Sequence, residues 1–166
     1  TVIPPNLFGE NDNYNPKNSH VLAAMVRRYL EAKRNNQPKV ICWGTGKPFR
    51  EFLYSEDLGD ACVFALENWD PSDINAPVDD KGKPLTILNV GTGKDITIKK
   101  LASTISQYTN YEGLTEWDES KPDGTPRKQL DVSRLSKLGW ESKVSLEVGL
   151  KKTIQEIYNL GFDYKK

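Results

Sequence analysis

At 166 residues the chain is one domain or part of a larger one, and it is long enough to bury a real core. Its 37% hydrophobic and 28% charged content is that of a soluble globular protein, and 23 basic residues against 23 acidic ones argue against nucleic acid or an anionic membrane as a partner. No apolar run approaches the roughly 20 residues of a membrane span. Thr1 to Ile3 reads as a buried strand end closed by Pro4-Pro5-Asn6. With no initiator Met and no signal-peptide pattern, this start suggests the C-terminal piece of a longer chain. A polar loop, Gly9 to Asn18, leads to Ser19, placed to cap a helix from His20 to about Asn35. Val21, Leu22, Met25, Val26, Tyr29 and Leu30 form its apolar stripe. The basic cluster Arg27, Arg28, Lys33 and Arg34 reads as a solvated helix face, except that Arg28 falls on or beside the stripe. A charge there needs a partner, either an internal carboxylate or a ligand phosphate.

Val40 to Trp43 reads as a strand, and Glu51 to Tyr54 as another. Ser55 is placed to cap a helix to about Asn68, with Glu56 and Asp57 in its first turn and Leu58, Ala61, Cys62, Ala65 and Leu66 inside. Residues 69–84, rich in Asp, Pro, Asn and Lys, read as an exposed loop or insertion. Leu85 to Val90 is a short apolar strand, and Thr97 caps a helix that turns Ile98, Leu101, Ile105 and Tyr108 inward. Leu114 to Trp117 suggests a strand, and Lys121 to Lys128 a loop, rich in Pro and Gly. A short helix from Ser133 to Leu138 stops at Gly139, and a last one runs from the Ser145 cap to about Leu160. The alternation of short strands and helices indicates an α/β protein, α+β if taken as an isolated fragment.

The stretch Trp43-Gly44-Thr45-Gly46 through Arg50 sets an indole and a guanidinium beside a glycine turn. Those groups suit a phosphorylated ligand with a flat base or sugar face, although the same turn is ordinary hairpin chemistry. Neither Gly44-Thr45-Gly46 nor Gly91-Thr92-Gly93 completes a phosphate-binding fingerprint. His20 is the lone imidazole, by default a surface residue at a helix start. If it is catalytic, a neutral ring there can take and return a proton next to a carbonyl. Cys42 and Cys62 lack CxxC spacing, so neither a metal site nor a disulfide is expected, and both read as buried thiols of a cytoplasmic protein. The residues alone support an α/β piece that binds an anionic ligand through Arg28, Trp43 and Arg50.

Three motifs together resemble a known family. Pro4-Pro5-Asn6-Leu7-Phe8-Gly9 followed by Asn18-Ser19-His20, Trp43-Gly44-Thr45-Gly46 followed by Arg50-Glu51-Phe52-Leu53, and Lys121-Pro122-Asp123-Gly124-Thr125-Pro126-Arg127-Lys128 are similar to the extended short-chain dehydrogenases, and within them to the GDP-L-fucose synthase family. The match runs from Pro4 to near the C-terminus and is weakest over 69–84. Phe8 for Tyr, Glu10 for Pro and Asn15 where relatives can carry His are mild departures.

The resemblance implies the C-terminal substrate-binding part, residues 1–166, of an NADPH-dependent enzyme that epimerises GDP-4-keto-6-deoxy-D-mannose at C3 and C5 and reduces C4. It implies that Pro4, Pro5, Asn6, Leu7 and His20 line the nicotinamide side of an NADP(H) site and that His20 transfers protons. Arg28, Trp43, Arg50 and Asp123 would hold the GDP-sugar. The Rossmann domain, with its glycine-rich loop, Ser-Tyr-Lys set and catalytic Cys, would lie N-terminal to this chain, so the fragment alone is expected to be inactive and the intact enzyme a homodimer. Another extended-family nucleotide-sugar epimerase or dehydratase, or a catalytically dead binding subunit, are the alternatives.

Overall fold

The computed structural model describes residues 1–162. The strands are β1 (Val2–Ile3), β2 (Asn6–Phe8), β3 (Lys39–Trp43), β4 (Phe49–Tyr54), β5 (Leu88–Asn89), β6 (Asp95–Thr97), β7 (Leu114–Asp118) and β8 (Arg127–Lys128). The helices are α1 (Val21–Arg34), α2 (Ser55–Asn68), α3 (Ile98–Thr109), α4 (Ser133–Lys137) and α5 (Leu146–Asn159). β4 is the hub: its second half pairs in parallel with β2, and its first half pairs with antiparallel β6 and parallel β8. β1 with β5, and β3 with β7, form separate two-stranded parallel sheets. Strand alternation explains how β4 serves two cores, because successive side chains point to opposite faces. Phe52 and Tyr54 enter the larger cluster with α1, α3 and α5, while Leu53 between them joins Ala61, Leu88, Val90, Leu135 and Trp140 in the smaller one.

Three strands escape the sequence pattern. β2 follows directly on the two prolines, and β6 and β8 are polar. β8 corrects the reading of residues 121–128 as loop throughout. Arg127 and Lys128 pair with Phe49 and Arg50, and Arg127 Nε lies 2.6 Å from Asp95 Oδ2 on β6, so a tertiary ion pair supplies what strand propensity lacks. The apolar strand expected over 85–90 contracts to Leu88–Asn89. The hairpin reading of the glycine turn also fails, since β3 and β4 belong to different sheets.

Two caps move. Ser19 lies in a turn closed by its amide on the Asn15 carbonyl (3.1 Å), and His20 becomes the α1 N-cap without a side-chain capping bond. Tyr54 is the N-cap of α2, because β4 runs into the helix with no loop and Ser55 is already helical. Thr97 and Ser145 do cap, accepting from Lys100 and Val148. The inner stripe of α2 is Asp57, Ala61 and Ala65, whereas Leu66 is 87% exposed and Cys62 half-buried. Asp57 takes the inner place because its Oδ2 accepts the amides of Lys143 (3.2 Å) and Val144 (2.9 Å), which satisfies a buried carboxylate. Cys42 is buried as expected, and burial raises its thiol pKa. Residues 69–84 contain turns and one isolated bridge, Val78 with Pro84.

Candidate functional site

The sequence-selected residues fall into two groups. Pro5, Asn6, Leu7 and His20 line one cavity of about 430 Å³, together with the loop through Asp12 and Ser55; Pro4 does not line it. β2 fixes its wall: Asn6 pairs with Phe52, and its amide donates to the Glu51 carbonyl at 2.9 Å. His20 reaches the cavity from the start of α1, exposed and held by no capping bond. This wall mixes apolar ring and side-chain surface from Pro5 and Leu7 with an amide and an imidazole. Such a lining can take a flat heterocycle edge-on and present a proton-transfer group beside it.

The second group surrounds Trp43, whose indole is 63% exposed at the end of β3. The Arg28 guanidinium lies 5.6 Å from the ring centroid and Lys121 Nζ 5.9 Å, so two cations flank one aromatic face system. Arg28 Nη1 donates to the Ile41 carbonyl at 3.3 Å and has no carboxylate partner among the described residues. The internal carboxylate considered for it is therefore absent there. Its neighbour Arg27 corrects the solvated-face reading: it is buried, with Nη1 2.6 Å from Glu31 Oε2 and Nε unpartnered.

Between Trp43 and Arg50 the chain turns through Gly44 (φ 77°) and Gly46 (φ 73°), a region that only glycine enters cheaply. Asp123 latches this turn, its Oδ1 accepting the Thr45 amide and its Oδ2 the Thr45 hydroxyl, both at 2.7 Å. The Thr45 hydroxyl and amide donors hold the Asp123 carboxyl below its usual 3.8. Such a group contributes above that value and is lost as pH falls through the depressed one, so the latch holds throughout the neutral range. The α3 amides of Ile98 and Lys99 bond the carbonyls of Pro48 and Gly46, at 2.9 and 2.8 Å, and the Trp117 ring packs under Gly46. A Cβ on Gly46 would press into that ring at 2.6 Å. Gly46→Ala is expected to lower the unfolding free energy by about 2–4 kcal/mol, the sum of left-handed strain and overpacking, in urea denaturation.

Arg50, half-buried on β4, donates Nη1 to the Phe49 carbonyl at 2.7 Å and points its Nη2 towards Gly124. It too has no carboxylate partner among the described residues. Behind it, Glu51 is fully buried and holds two loops. Its Oε1 accepts the amides of Thr92 (2.7 Å) and Gly93 (2.8 Å), and its Oε2 the amide of Leu130 (2.8 Å). Sequence reasoning missed Glu51, Lys121 and Asp12. Glu51 left a signal, a charge between Arg50 and Phe52 in a strand, and Lys121 opened the motif that runs to Lys128.

The family model described as "NAD dependent epimerase/dehydratase family" matches residues 1–77. GDP-L-fucose synthase 1 of Arabidopsis thaliana is 48% identical over 151 residues, covering 91% of this chain and 43% of that protein. GDP-L-fucose synthase of Escherichia coli K12 is 45% identical over 159 residues, covering 93% and 47%. The crystal structure of a GDP-L-fucose synthetase from Naegleria fowleri bound to NADP superposes with a TM-score of 0.82 at 26% identity, over 99% of this chain and 48% of that one. The chain is thus similar to the NAD dependent epimerase/dehydratase family over residues 1–77 and to GDP-L-fucose synthases over most of its length. It matches the C-terminal half of GDP-L-fucose synthases, and it spans less than half the length of these curated relatives.

The chain contains one Tyr-x-x-x-Lys spacing, Tyr29 to Lys33 on α1. The Tyr29 hydroxyl is committed to Thr115 Oγ1 at 2.7 Å, and burial pushes its pKa far above the usual tyrosine range, while Lys33 is exposed.

Proposed function

We propose that this chain is the substrate-binding half of an NADPH-dependent GDP-4-keto-6-deoxy-D-mannose 3,5-epimerase and 4-reductase, which makes GDP-L-fucose. The observation that carries the proposal is the Trp43 indole flanked by Arg28 and Lys121, with Arg50 and Asp123 fixed at the other end of the same turn. The indole offers a stacking face to a nucleoside, and guanidiniums without carboxylate partners are free for the pyrophosphate. Asp123 keeps acceptor capacity beyond its Thr45 bonds for a hydroxyl or guanine edge.

Pro5 to Leu7 and His20 fit the nicotinamide end of NADP(H), while the cofactor phosphates and the Ser-Tyr-Lys set are assigned to a preceding Rossmann half. Bound NADPH supplies the hydride that reduces C4. His20 exchanges protons at carbons next to the keto group, and the Arg28, Trp43 and Arg50 cluster orients the sugar nucleotide towards it. We assign the full-length enzyme to the cytoplasm, in keeping with the unpaired thiols of Cys42 and Cys62, and to a homodimer on the family pattern. Alone, the chain is expected to bind the GDP-sugar and reduce nothing.

The decisive experiment supplies the full-length protein with GDP-4-keto-6-deoxy-D-mannose, follows NADPH consumption and identifies the product by chromatography. GDP-L-fucose establishes the reaction. Tight binding without turnover returns the reading to a nucleotide-sugar-binding subunit, and no binding at all overturns the assignment. In the same protein Arg50→Ala is expected to weaken GDP binding by about 1.5–3 kcal/mol, the scale of a hydrogen bond to a charged group. Unchanged affinity in calorimetry refutes its pyrophosphate role.

A further inference from the structure

The 430 Å³ cavity holds a polar atom that the proposed function does not use. Asp12 stands on the wall shared with His20. Its Oδ1 accepts the Asn13 amide at 2.7 Å, but its Oδ2 is shut off from solvent and has no hydrogen-bond partner. Folded proteins rarely leave a buried carboxylate oxygen without a donor, because its desolvation is then uncompensated. Burial raises the Asp12 carboxyl above 3.8, and the Asn13 amide and the charge of His20 are the influences that oppose it.

The other charged groups about this loop are mostly carboxylates. Glu10 lies on the loop itself. Glu56 on α2 is held by Lys152 at 3.2 Å, and Glu156 on α5 accepts the Asn11 amide at 2.7 Å. Among the described residues no Lys or Arg forms an ion pair with Asp12. Asn6, Asn11, Ser55 and His20 are the side-chain donors that share its cavity; the Asn6 amide is bonded to the Glu51 carbonyl, and His20 is the one whose charge acts on Asp12.

We propose that Asp12 is a positioning residue for His20: in the substrate-bound enzyme its Oδ2, without a partner in this structure, accepts one imidazole N–H, so that the ring keeps one tautomer and turns its second nitrogen towards the bound sugar. The inference rests on the reading of this cavity as part of an epimerase-reductase. A carboxylate behind an acid–base imidazole fixes tautomer and orientation without itself taking the proton. Protons then move only at the nitrogen that faces the sugar, and the N–H held by Asp12 is retained.

Asp12→Asn is the variant of choice. It can keep the Asn13 bond through its amide oxygen and puts an NH₂, which accepts nothing, in place of Oδ2. In the full-length protein with GDP bound, the ¹⁵N signals of the His20 imidazole, assigned by their loss in His20→Gln, give two nitrogen shifts that report the tautomer. One tautomer is expected to dominate the neutral ring in the unaltered chain, and a mixture to appear in Asp12→Asn. Equal populations in the two overturn the proposal, whatever the activity. In the full-length protein, solvent deuterium entry at C3 and C5 of the GDP-sugar is expected to slow at least about tenfold in kcat with KM nearly unchanged, and Asp12→Glu to regain part of the rate. An unchanged kcat also overturns it. A full-length protein that never turns over this substrate overturns the functional reading instead, and the ¹⁵N comparison still judges the pair.

Discussion

His20→Gln in the full-length protein is expected to slow epimerisation by about 10²–10⁴-fold, the usual worth of a positioned acid–base group, while GDP-sugar affinity stays close to that of the unaltered protein. The separation follows from where the residue stands. His20 shares its cavity with Pro5, Asn6 and Leu7, whereas Trp43, Arg28 and Lys121, which would hold the nucleotide, do not line that cavity. Glutamine keeps a polar side chain of similar reach but cannot take and return a proton near neutral pH. Deuterium entry at C3 and C5 reads the proton transfers directly, and calorimetry with GDP reads the nucleotide site. Full-rate exchange in His20→Gln returns the residue to an ordinary helix-start position. A proportional loss of both exchange and affinity instead makes it a binding residue.

Glu51→Ala is expected to cost on the order of 4 kcal/mol in stability, measured by urea denaturation. The carboxylate is fully buried and accepts three backbone amides from two loops distant in sequence. Each amide left without an acceptor costs about 1–3 kcal/mol, partly offset where water enters the space. The loss should reach the site as well. Gly91 to Gly93 and Leu130 flank β6 and β8, which pair with Arg50 itself, so freeing them loosens the guanidinium and the 121–128 loop together. Glu51→Gln, which keeps one acceptor but sets an NH₂ against an amide, is expected to lose about 1–3 kcal/mol. Two wild-type-like denaturation curves would show that the loops carry their own support.

The local chemistry of this chain was legible where one residue decides the matter. Thr97 and Ser145 cap their helices as their hydroxyls and positions dictate, and the apolar stripes of α1 and α3 turn inward. The indole, the guanidiniums and the imidazole were visible as candidates because exposed-type groups of that kind, near glycine turns, have few structural uses. Nothing local could show that Arg28 would lie over Trp43 rather than pair with a carboxylate, since their contact depends on β3 pairing with β7 and packing against α1. Polar strands were invisible for the same reason. β6 and β8 exist because β4 offers them an edge and Asp95 meets Arg127, not because their residues favour extended structure. The inner face of α2 went to Asp57 over Leu66 because two amides 86 and 87 residues away were waiting for an acceptor. Sequence by itself determined the caps of α3 and α5, where Thr97 and Ser145 need only their own hydroxyls, but not those of α1 and α2, where Ser19 and Ser55 do not cap. Tertiary structure decided which buried carboxylates have partners, because a donor far along the chain can outweigh hydrophobicity at any single position.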